Sequence, residues 1–130
     1  LDFRIHPGMD HEQVGQFLDK GFEQAGIDGF QRTLHFYMPG GEIPQDDRFV
    51  KLCLEERERQ FGIKSDPQPF DASCEQCFLA REGIQTVICG PGDIAQAHTV
   101  GEFTWEKQVR DAVSLYERII DRVLYKTNYI

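Results

Sequence analysis

Gln85-Thr86-Val87-Ile88-Cys89-Gly90-Pro91-Gly92-Asp93-Ile94-Ala95-Gln96-Ala97-His98-Thr99 is the stretch on which the fold reading turns. Its first five residues are a continuous β-prone run and read as a buried strand. Gly90-Pro91-Gly92 ends that run. Beyond the loop, Val109, Ala112, Val113, Tyr116, Ile119, Ile120 and Val123 recur at helical spacing and predict a long helix from near Thr104. Strand, glycine loop and helix in that order are the material of an α/β protein.

The same grammar continues toward the start of the chain. Leu1 to His6 alternates as a strand that Pro7-Gly8 closes, and Asp10 with Gln13 has the form of a capping box. Val14, Phe17, Leu18, Phe22 and Ala25 then mark an amphipathic helix closed by Gly26. A second extended stretch, 31–38, ends at Pro39-Gly40-Gly41, so the first forty residues read as β-α-β. Gly41 and Pro44 suggest a domain boundary, placed between 43 and 44. After it, Phe49, Val50, Cys53, Leu54 and Phe61 predict a helix whose charged run 55–59 is expected to face solvent. Ser73 and Gln76 are expected to cap a short helix that stops at Gly83. The class is therefore α/β, an α+β piece over 1–43 joined to part of an α/β domain over 44–130. A single buried strand between helices needs neighbours to pair with, and neither portion supplies them.

Composition narrows the function classes. The chain has 130 residues, 40% of them hydrophobic, and a formal charge of −8. That balance disfavours nucleic acid, which needs clustered Lys and Arg to neutralise phosphates. No run approaches the roughly 20 apolar residues of a membrane span, and no basic-then-apolar leader is visible. A cytoplasmic location is the expectation, with neither nucleic acid nor membrane as partner, and the four cysteines are read as reduced thiols. The direct entry into a strand at Leu1, without an initiator Met, suggests the middle of a longer protein.

Several groups could carry chemistry, and each has a plainer reading. Gly90, Pro91 and Gly92 stand at the carboxyl end of a strand, where α/β proteins bind ligands, yet Gly-Pro-Gly is also an ordinary tight turn. His98 lies in a polar loop that could project a metal ligand, but spacing alone leaves it a solvated surface residue. Cys74-x-x-Cys77 has redox or zinc-knuckle spacing but no second pair of Cys or His to complete a site. Arg4, alternating with Phe3 and Ile5, could grip a carboxylate bidentately or simply be a solvated edge residue. His6, His11 and His35 have no useful spacing.

Taken together, residues 74–103 resemble the C-terminal signature of the M20 metallopeptidase and deacylase family, and within it the acetylornithine deacetylase branch. The likeness runs through Glu75 on a short helix, Ala80-Arg81-Glu82-Gly83-Ile84, a strand, the Gly90 to Thr99 loop, and Glu102-Phe103. The opening Asp2-Phe3-Arg4 and Pro7-Gly8 then resemble a strand of that family's lid, or dimerisation, domain. The resemblance implies that His98 binds one of two adjacent zinc ions, with cobalt a possible substitute. It also implies that Arg4 holds the substrate's carboxylate and that the glycine loop shapes the pocket. It places 1–43 in the second half of the lid and 44–130 in the C-terminal part of the catalytic domain, with a homodimer formed through the lid.

The activity so implied is deacylation of an N-acyl amino acid such as N-acetylornithine. A two-metal amidase lowers the pKa of a bridging water, while a carboxylate passes its proton to the leaving amine. Zinc needs three or four protein ligands, so one histidine leaves the chain inactive alone and without catalytic residues of its own. Alternatives within the family are a succinyl-diaminopimelate desuccinylase, an aminoacylase or a dipeptidase, and outside it a non-catalytic dimerisation module. Gly101 stands where the family has an acidic residue, which places support for the metal histidine in question. Glu75 in place of the commoner Asp favours the acetylornithine deacetylase branch.

Overall fold

The computed structural model describes residues 3–125, and its regular elements are helices: α1 (His11–Gln24), α2 (Arg48–Phe61), α3 (Gln76–Arg81), a 3-10 turn (Ile94–Gln96) and α4 (Glu106–Leu124). No strand occurs among the described residues, which overturns the α/β class expected from the sequence. The segments expected to be strands, 31–38 and 85–89, lack strand structure, as do residues 3–6 of the first one; Leu1 and Asp2 lie outside the described residues. The physical reason is pairing. A strand exists through ladder hydrogen bonds, and among the described residues the backbone bonds outside the helices are all local turns and caps. Alternating side chains mark a face, but they do not provide a partner. Gln85, Ile88 and Cys89 are accordingly exposed where a buried strand was expected.

The chain divides into two compact units, 1–43 with 71–86, and 44–70 with 87–130. In the first, the predicted capping box forms: Gln13 N–H donates to Asp10 Oδ1 at 2.8 Å, and Asp10 N–H to Gln13 Oε1 at 3.0 Å. Gly26, with φ +67, follows the end of α1. The 31–41 stretch is held by side chains: Arg32 reaches Asp19 of α1 at 2.9 and 3.1 Å, and its guanidinium lies where a Cβ on Gly15 would sit. That ion pair holds the Asp19 carboxyl below its ordinary range, through the hydrogen bond first and the charge of Arg32 last. The rings of Phe22 and Phe30 meet at a tilt, centroids 4.5 Å apart, and Tyr37 Oη donates to Met9 O at 3.3 Å. Further on, Gly40 passes against Pro7 and Gly41 against Cys77, with no room for a Cβ at either.

In the second unit α2 and α4 pack antiparallel. Gln60 Nε2, late in α2, donates to Asp111 O, early in α4, at 2.7 Å, while Arg122 near the end of α4 meets Glu55 and Glu56 at 2.8 and 2.9 Å. Asp47 caps α2 by accepting from Phe49 N–H at 2.7 Å, and Gly62, in the left-handed region, ends it. The buried residues on these helices are Val50, Leu52, Glu56, Ala112 and Leu115. No helix among the described residues is long and apolar enough to cross a membrane.

Two expectations change here. Ser73 does not cap α3, whose N-cap position, Glu75, makes no side-chain cap bond; the Ser73 hydroxyl instead accepts from Arg4 Nη1 at 3.0 Å. The acidic run of α2 is not wholly solvated either. Glu56 is only 3% exposed and pairs with Arg59 one turn along α2 and with Arg122 of α4, the second a partner from another helix.

Candidate functional site

The loop that follows Cys89 is anchored before it is polar. Tyr116 Oη on α4 donates to Cys89 O at 2.8 Å, tying the start of the glycine loop to the helix that succeeds it. Gly90, Pro91 and Gly92 are exposed. Gly92 has φ +98 and a Cβ there would lie 3.4 Å from Thr104 Oγ1, so the turn requires glycine for its dihedral rather than for space.

Asp93 then opens the 3-10 turn, its Oδ1 accepting from Ala95 N–H at 2.9 Å. Gln96 O closes it, accepting from Thr99 N–H at 3.2 Å and from the Thr99 hydroxyl at 2.7 Å. His98 lies between them, exposed, with φ +63, and its N–H donates to Glu102 Oε2 at 3.0 Å. Among the described residues it is the one non-glycine with positive φ. Phe103 and Trp105 complete the loop as an edge-to-face pair 5.3 Å apart, both at least half exposed.

His98 and the glycine loop thus belong to one continuous segment of the second unit. Arg4 belongs to the first unit, exposed, with its guanidinium on Ser73. No group of three or more His, Cys, Asp or Glu among the described residues could hold a metal ion. His98 therefore offers a single donor, and the described residues do not form a complete zinc site.

The cysteines do not change this. All four are free. Cys77, buried, donates its thiol to Cys74 O at 3.2 Å, an internal bond rather than a knuckle awaiting metal. Burial first, and Cys89 second, push the Cys53 thiol up to about 11. Burial likewise raises Cys89 while Arg57 partly opposes it, so neither thiol is an activated nucleophile. Two contacts of the loop go beyond the roles expected from the sequence, those of Tyr116 and of the Glu102 carboxylate. Tyr116 was assigned to the apolar stripe, whereas the His98-to-Glu102 spacing with Gly101 between them was a signal available in the sequence.

The pattern of the peptidase family M20/M25/M40 matches residues 7–122 of this chain. The chain belongs to that family. The match runs from before α1 to within two residues of the end of α4 and includes the whole loop around His98. The chain is 24% identical over 136 residues to an acetylornithine deacetylase of Photorhabdus laumondii subsp. laumondii, an alignment covering 98% of this chain and 32% of the relative. It is 26% identical over 124 residues to an acetylornithine deacetylase of Pectobacterium carotovorum subsp. carotovorum, covering 92% and 30%. The chain spans about a third of the length of these relatives. No solved structure matches it.

Proposed function

We propose that this chain is one portion of a zinc-dependent amide hydrolase that deacylates an N-acyl amino acid of the N-acetylornithine type, and that the portion is inactive alone. The observation that carries the reading is the family match across residues 7–122, which takes in His98 on an exposed loop whose backbone is fixed. In this reading His98 is one zinc ligand, and residues outside this chain complete the coordination set. Gly90, Pro91 and Gly92 border the pocket, where backbone without side chains lets a substrate approach. Arg4 binds the substrate's carboxylate, for which a planar, permanently charged guanidinium is suited. Exposed Phe17 and Phe36, both 75% accessible, support association of two copies through residues 1–43.

The test uses the full-length protein. It is expected to hydrolyse N-acetylornithine, to lose that activity under 1,10-phenanthroline, and to regain it when zinc is restored. Faster hydrolysis of N-succinyl-diaminopimelate or of a dipeptide would move the assignment to another branch of the family. Failure on every N-acyl amino acid and dipeptide would overturn it.

Arg4→Ala should raise KM for N-acetylornithine by about tenfold or more, the loss of a charge-assisted hydrogen bond, with a smaller effect on kcat. Steady-state kinetics decide this. An unchanged kcat/KM would leave Arg4 as an exposed residue with no part in substrate binding.

A further inference from the structure

We propose that Glu102 is a positioning residue, whose carboxylate clasps the His98 backbone in its left-handed conformation and so fixes the direction in which the imidazole leaves the loop. The left-handed region brings Cβ against the backbone carbonyl, a cost that His bears more readily than most residues and that local support offsets. His98 has φ +63, and the support is visible: its N–H donates to Glu102 Oε2 at 3.0 Å.

The intervening residues are shaped to deliver that carboxylate. Thr99 is pinned to Gln96 O through both its N–H and its hydroxyl, and Glu102 N–H returns to Thr99 O at 3.3 Å. Gly101, with φ +89 and open space around it, supplies the left-handed step that this reversal needs. A residue with a side chain would be strained there, whatever its charge. The glycine found where an acidic residue was expected therefore serves the clasp: support reaches His98 through its own amide rather than through a neighbour's carboxylate on the imidazole.

The inference rests on the reading of His98 as a zinc ligand, and the experiment separates the two. In the full-length protein, the zinc dissociation constant is measured by competition with a chromophoric chelator for wild type, His98→Ala, Glu102→Ala, Glu102→Gln and the double variant. Exchange of the His98 amide hydrogen is followed in those that keep His98. Glu102→Ala is expected to weaken zinc about tenfold and to speed His98 exchange. Glu102→Gln keeps an acceptor oxygen and should recover most of both. In the His98→Ala background, Glu102→Ala should weaken zinc no further.

Wild-type exchange and zinc affinity in Glu102→Ala would overturn the clasp, as would an equal loss in both backgrounds. Should Glu102→Ala fail to fold, Glu102→Asp, one methylene too short for the bond, takes its place. If His98→Ala leaves zinc affinity unchanged, it is the ligand reading that fails, and amide exchange still decides the clasp.

Discussion

Leu115→Ala is expected to destabilise the unit formed by residues 44–70 and 87–130 by about 2–5 kcal/mol, the range for deleting a buried leucine without full collapse of the cavity. Leu115 is 4% exposed on α4, in a unit whose other buried apolar residues, among those described, are Val50, Leu52 and Ala112. So small a core has little to close the gap with. Domains are stable by only about 5–15 kcal/mol, so the loss would be a large fraction of the whole. Urea unfolding of the full-length protein followed by circular dichroism measures it.

Val113→Ala is the control, because Val113 is 52% exposed and its truncation should cost no more than about 0.5 kcal/mol. Equal losses for the two variants would mean that α4 buries a different face from the one seen here.

That contrast shows where sequence reading stopped. The helix itself was legible, since apolar residues recur at its period, and it begins within two residues of the expected Thr104. Which stripe faces inward was not. The expected stripe held Val109, Val113 and Ile120, all at least 43% exposed, and omitted Leu115, one helical turn beyond Ala112. A helix with apolar residues on more than one side does not choose its buried face alone; here α2 does, and α2 is some fifty residues away in the chain.

Local signals fared better than distant ones. The Asp10 and Gln13 box and the Gly26 stop depend on neighbours in sequence, and both were found. The strands depended on partners. Residues 31–38 and 85–89 carry β-prone side chains but find no ladder among the described residues, so a correct reading of local preference produced the wrong class. The pair of Glu56 with Arg122 failed for the same reason, its members standing 66 residues apart.

The candidate site was legible in a different way. Spacing left His98 a solvated loop residue, and only the thirty-residue signature around it singled it out; the family match over 7–122 now stands behind that signature. Its left-handed backbone and its bond to Glu102 are local to a five-residue loop, where the signal is the spacing around Gly101 and not a periodicity.

His98→Ala in the full-length protein is expected to be the most damaging substitution for function. Changing groups that merely orient a metal ligand costs about 10- to 100-fold in affinity or activity, so removing the ligand should exceed 100-fold. His98 is exposed and Val100, Gly101 and Glu102 beside it are exposed too, so the fold should survive the change. Metal loss would then come from the missing imidazole and not from unfolding.

The decisive measurement is zinc content by mass spectrometry, alongside N-acetylornithine hydrolysis, for folded wild-type and His98→Ala protein purified in parallel at full length. The account predicts that the variant loses zinc and that its kcat/KM falls by more than about 100-fold. Wild-type zinc content and rate in a folded His98→Ala protein would contradict it.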